Sequence, residues 1–178
     1  THNYNWSVSA YLGPDAPSTP DPPSPFDYKA DIVMPSSGHY VFDLPVTAQK
    51  PSVSSPVDVK MVPEQSQVPV ILWWRWNSTT QKDYFEIQFQ NQTVMRMAEA
   101  QAYPHLQEQP RPYVNNGALH RLERITDING LYITFHYESF TRGIELSGGQ
   151  GNPNTTSSYP VTILTQIKDS AGSPLLSM

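Results

Sequence analysis

The chain has 178 residues, a formal net charge of −5 and only 11 lysines and arginines, which leaves no basic stripe of the kind that displaces counterions from a nucleic-acid backbone. It contains no cysteine, so disulfide staples, thiolate metal sites and thiol nucleophiles are excluded. Charged residues make up 15% and prolines number 18; with charge below the roughly 25% of an ordinary domain, and Ser, Thr, Asn and Gln carrying the polarity, strands and loops are favoured over helices.

The first element is an extended arm. Pro14, Pro17, Pro20, Pro22, Pro23 and Pro25 each fix their own φ and push the preceding residue toward extended geometry. Residues 1–30 therefore read as a proline-rich arm, either a flexible tail or one laid across another surface with Trp6, Tyr11, Phe26 and Tyr28 as candidate anchors at its two ends. Residues 31–178 are the right size for one β-barrel or sandwich domain.

Beyond the arm the apolar period becomes two. Tyr40, Phe42 and Leu44 alternate with Val41 and Asp43; Val57, Val59 and Met61 alternate with Asp58 and Lys60. Residues 68–76 form the longest apolar run, too short to span a bilayer as a helix and interrupted by Pro69 and Arg75. In residues 83–90, Phe85, Ile87 and Phe89 fall on one face and Tyr84, Glu86, Gln88 and Gln90 on the other. Asn91-Gln92 marks a reversal. It leads into a strand over residues 93–97, for which a short helix over residues 94–102, with Met95, Met97, Ala98, Glu99, Ala100 and Ala102, is the competing reading. Asn129-Gly130 is the strongest hairpin signal in the chain, and after it Leu131, Ile133, Phe135 and Tyr137 point to the core while Tyr132, Thr134, His136 and Glu138 point out. Further strands are expected over residues 143–146 and 159–168, with a polar loop at 147–158. The fold class is all-β, a single jelly roll or sandwich.

The most unusual local feature is Trp73-Trp74-Arg75-Trp76, which on a strand sets Trp74 and Trp76 against Trp73 and Arg75. Such a run either fills a core and a subunit interface or offers flat indoles to sugar rings; the neighbouring Val70, Ile71 and Leu72 favour the core or interface. Tyr132 and His136 join these four as candidate binding or interface residues. His2, His39, His105, His120 and His136 stand at no metal-binding spacing, and the scattered carboxylates select no pair for glycoside hydrolysis. Gly148-Gly149-Gln150-Gly151 lacks the Lys-Ser/Thr of a phosphate loop, and no G-x-S-x-G elbow is present. No catalytic residue, cofactor or metal is therefore assigned. Four tripeptides, beginning at Asn5, Asn77, Asn91 and Asn154, fit the glycosylation acceptor pattern. The N-terminal residues lack the basic and apolar regions of a signal peptide.

The strand count over residues 31–168, the uncharged polar composition and the terminal arm together resemble the small single jelly-roll capsid and spike proteins of icosahedral viruses. The resemblance implies a non-enzymatic structural protein of a virion or extracellular surface. Its partners would be copies of itself and other structural proteins, met through the barrel and the arm. The alternative is a lectin-like sandwich in which Trp73, Trp74, Trp76 or Tyr132 stacks on a glycan during attachment.

Overall fold

The alternation of apolar and polar residues fixes what the chain can bury: one face of every strand. The computed structural model describes residues 6–12, 28–34, 39–99, 118–146 and 155–177, and among these there are twelve strands and no helix. In chain order they are β1 (Ser7–Leu12), β2 (Tyr28–Val33), β3 (His39–Asp43), β4 (Val59–Lys60), β5 (Val62–Pro63), β6 (Val70–Asn77), β7 (Lys82–Phe89), β8 (Val94–Glu99), β9 (Ala118–Thr126), β10 (Tyr132–Leu146), β11 (Thr155–Asp169) and β12 (Pro174–Ser177).

Nine of them run side by side in the order β4-β6-β7-β8-β9-β1-β2-β3-β5, and every pairing is antiparallel. The two ends of that row, β4 and β5, flank a single residue, Met61. Val59 and Lys60 pair with Trp74 and Trp73 on β6, while Val62 and Pro63 pair with Asp43 and Phe42 on β3. Met61 itself donates its N–H to the Leu72 carbonyl at 2.9 Å. One short segment thus joins both edges and closes the sheet into a barrel, which removes the open edges that a flat sheet would present. The all-β barrel expected from the alternation is what forms. β1, β2 and β3, and again β6 to β9, wind as meanders, while β3 with β5, β4 with β6 and β9 with β1 pair out of chain order.

The interior is filled from all sides of the ring. Val8, Ala10, Ala30, Ile32, Phe42, Val59, Met61, Val70, Leu72, Trp74, Phe85, Ile87, Met97 and Leu122 are buried and form one cluster. Ala10 and Ala30 lie directly opposite each other on β1 and β2, and such small residues leave volume for the large ones a narrow barrel must hold. The face assignments for residues 40–44 and 83–90 hold: Phe42, Leu44, Phe85 and Ile87 are all buried.

Several expectations change. Residues 94–99 are strand β8, as the reversal at Asn91-Gln92 implies, and the competing helix does not form, because β7 and β9 pair with them on both sides and Met97 fills the interior; tertiary pairing outweighs a modest helix propensity. Residues 100–102 lie outside the described residues. The barrel begins earlier than residue 31, since β1 sits between β2 and β9 and β2 starts at Tyr28; the proline run at 14–25 lies outside the described residues. Leu131 is 62% exposed, because it closes a hairpin loop instead of starting the strand. Residues 155–158, expected in a polar loop, pair with residues 143–146 in the ladder of β10 and β11.

Three hairpin loops share one geometry. Asp127 N–H bonds to Leu131 O at 2.8 Å and Gly130 N–H to Asp127 O at 3.1 Å, with Gly130 at φ +81°. Asp169, Gly172 and Ser173 repeat this pattern, as do Phe89, Gln92 and Thr93, where Gln92 takes the left-handed position at φ 65°. Each is a three-residue turn with a left-handed residue before the returning strand.

β10 and β11 continue past the barrel as a two-stranded ribbon. β10 pairs with β9 only from Tyr132 to Thr134, and β11 meets β12 only from Gln166 to Lys168, yet the ladder between them runs from Ile133↔Asp169 to Leu146↔Thr155. The register skips Thr165 between His136↔Gln166 and Tyr137↔Leu164. This bulge, where the Thr165 hydroxyl donates to the His136 carbonyl at 3.2 Å, lies where the ribbon leaves the barrel, and bulges bend a strand and raise its twist.

Candidate functional site

The tryptophan run divides as the strand period requires. Trp74 points into the barrel and is 0% exposed; it stacks on Phe85 with ring centroids 4.9 Å apart and meets Tyr28 edge-on at 5.7 Å. It is therefore closed to a sugar. Trp73 lies on the outer face, where the Arg75 guanidinium sits 5.1 Å from its ring centre. Arg75 is in turn held by Glu86 at 2.6 Å and by Asp58. Trp76 is half-buried and paired opposite Asp83.

Around Trp74 one end of the barrel interior is polar, which composition and motif do not disclose. Asp83, at the start of β7, accepts the Trp74 indole N–H at 2.7 Å. His120 on β9 is fully buried, with Nε2 4.0 Å from the same carboxylate oxygen, and its ring meets Phe85 edge-on at 4.8 Å. Lys50 reaches in from the segment between β3 and β4: its ammonium stands 3.8 Å from Asp83 and 5.3 and 5.4 Å from the Trp74 and Tyr28 ring centres. Burial pushes the Tyr28 hydroxyl pKa up, and the Asp83 charge adds to the rise. A buried carboxylate needs donors and countercharge, and this set supplies both. In sequence Asp83 stands among scattered carboxylates that select no pair, and its signal is parity alone: it falls on the face of Phe85 and Ile87.

Tyr132 and His136 lie on the outer wall, away from the tryptophans. There β8, β9 and β10 run side by side, and Arg96, Glu123, Arg124, Thr134, Phe135 and His136 line a cleft of about 180 Å³. The Arg124 guanidinium lies over the Tyr132 ring at 5.4 Å and that of Arg96 over Tyr84 at 4.1 Å. Glu123 binds Arg96 at 2.8 Å. The His136 ring shares a 3.2 Å hydrogen bond with the Thr134 hydroxyl. Burial raises the Tyr84 pKa, with Glu86 adding to the shift and Arg96 opposing it. Of the six expected residues His136 lines this cleft and Tyr132 backs its Arg124, whereas the four of the tryptophan run are split between core and outer wall. Arg96 and Arg124 were not singled out from sequence because nothing in their spacing shows that β8 and β9 place them opposite each other.

Among the described residues no three His, Asp or Glu side chains converge as a metal ion would require, and no helix is long and apolar enough to cross a membrane. Comparison with protein-family models, with curated proteins and with solved structures finds no match to this chain.

Proposed function

We propose that this chain is a non-enzymatic structural subunit that assembles with copies of itself and other structural proteins at a particle surface, as capsid, minor capsid or spike proteins of virions do. The observation that carries this reading is the ribbon of β10 and β11. From Tyr137↔Leu164 outward, no described strand lies against either of its edges. A two-stranded ribbon alone in water is marginal at best, and its open backbone groups are a template for strand addition from another chain. A closed barrel gives the rigid block to which such a connector is attached.

Light scattering and negative-stain microscopy of the full chain test the reading. The expected result is a defined oligomer or a repeated shell whose contacts include residues 137–146 or 155–164. A monomer over the whole micromolar to millimolar range, with those amides exchanging as fast as an unstructured peptide, would remove the support.

A further inference from the structure

The outer-wall cleft holds an arrangement that sheet stability alone disfavours. Arg96 on β8 lies directly opposite Arg124 on β9, Arg124 opposite Thr134 on β10, and Thr134 opposite Lys168 on β11. Like charges set directly across two strands destabilise a sheet, and this chain has only 11 lysines and arginines to place. Glu123, the residue that the register skips between Arg124 and Leu122, answers the charge of Arg96. Among the described residues no carboxylate forms an ion pair with Arg124, and its buried Nε has no hydrogen-bond partner. The face of its guanidinium lies against Tyr132 and its Nε is covered, so a ligand in the cleft would meet the terminal nitrogens of the fork.

We propose that this cleft binds a single oxyanion, a carboxylate or a sulfate, carried on a carbohydrate. Arg124 supplies the planar donor fork that matches such a group, the Thr134 hydroxyl and His136 ring supply further hydrogen bonds at the wall, and Phe135 bounds the cavity. The size and surroundings select the ligand. A volume of about 180 Å³ suits one acidic group with the ring that bears it, below the roughly 300 Å³ at which drug-sized sites begin. Glu86, Glu123 and the net charge of −5 oppose a polyanion such as nucleic acid. This inference does not rest on assembly through the ribbon, and either can fail without the other.

The test is nuclear magnetic resonance titration of the full chain, reading the Arg124 Nε–H signal, with glucuronic acid, galactose 6-sulfate, neutral galactose and sodium sulfate as separate probes. The two acidic sugars are expected to shift that signal saturably while neutral galactose does not, and the stronger of the two identifies the source of the oxyanion. Arg124→Lys keeps the charge but loses the fork and should weaken binding about tenfold. Glu123→Gln removes the competing carboxylate and should tighten it, a change that a purely structural role would not produce. A response to galactose equal to that of the acidic sugars, sodium sulfate binding as tightly as either sugar, or unaltered affinity in a folded Arg124→Lys protein would each overturn the proposal.

Discussion

The barrel and the ribbon are built from the same kind of strand but differ in what covers it. In the barrel every strand between the two ends of the row has neighbours on both sides, and the short segment at 59–63 supplies both ends. In the ribbon two strands of fifteen residues have, among the described residues, only each other once past the bulge at Thr165. Burial follows the pairing: Trp74, Phe85, Ile87 and Leu122 are 0% exposed, whereas Ile163 is 46% exposed. Stability thus belongs to the ring, and on the proposed assembly the ribbon's edges are where a neighbouring subunit would add.

The largest effect expected from breaking this contrast is removal of residues 1–12, which takes out β1. Val8 and Ala10 would leave the core, and β2 and β9 would lose their common neighbour. Cooperative unfolding and the near-ultraviolet circular dichroism of the packed aromatics should both be lost. Retention of a cooperative transition would mean that the ring does not need this strand. The same truncation cannot serve as a test of an N-terminal arm, because it removes part of the barrel.

Within the ring, Trp74→Ala should cost about 3–5 kcal/mol in urea unfolding, the range for a buried large aromatic, and it also strips Asp83 of its indole donor. Trp73→Ala, on the outer wall beside Arg75, should cost about 1 kcal/mol or less. The comparison of these two neighbours sharpens the division between interior and wall. Equal losses would show that the outer indole is packed against something in solution.

How legible this was in the sequence follows from the range over which each signal acts. Alternation is local, so the strands carrying Phe42, Phe85 and Ile87 could be read directly. At β1 the same alternation of Val8 and Ala10 was present but stood beside a proline run, and composition overruled it. At β8 the residues favour a helix weakly, and only β7 and β9, supplied by distant parts of the chain, decide for a strand. The polar interior around Asp83 and the Arg96–Arg124 pair depend on which strands become neighbours, and ring closure through Met61 sets that. No spacing within a single segment encodes it.

Raising the pH should weaken the ring by a smaller and graded amount. Tyr28, Tyr84 and Tyr137 have pKa values raised above 10.0, in each case chiefly by burial, and that of Lys29 is raised above 10.5 by its bonds to Asp43 and Glu64. A group whose proton is held more tightly in the folded chain leaves the unfolded chain first as pH rises. Its stabilisation is complete below the unfolded value and is lost as pH climbs through the folded one. The urea midpoint should therefore be flat to about pH 9 and decline beyond about pH 10, with Tyr28→Phe reducing the slope. A midpoint that rises in that window would contradict the burial of these hydroxyls.

The smallest expected effect on stability is also the one that separates the two regions most cleanly. Ile163→Ser, in the ribbon opposite Glu138, should change the urea midpoint of the barrel by no more than about 0.5 kcal/mol equivalent, as for a surface position away from packing. If the ribbon is a contact between subunits, the same change should lower the oligomer size seen by light scattering and speed amide exchange at residues 137–146 and 155–164. Exchange in β6 and β7, which open only with the ring, should stay as it was. A loss of several kcal/mol with no change in oligomer size would place Ile163 in the folding core and leave the ribbon's open edges without the role argued for them.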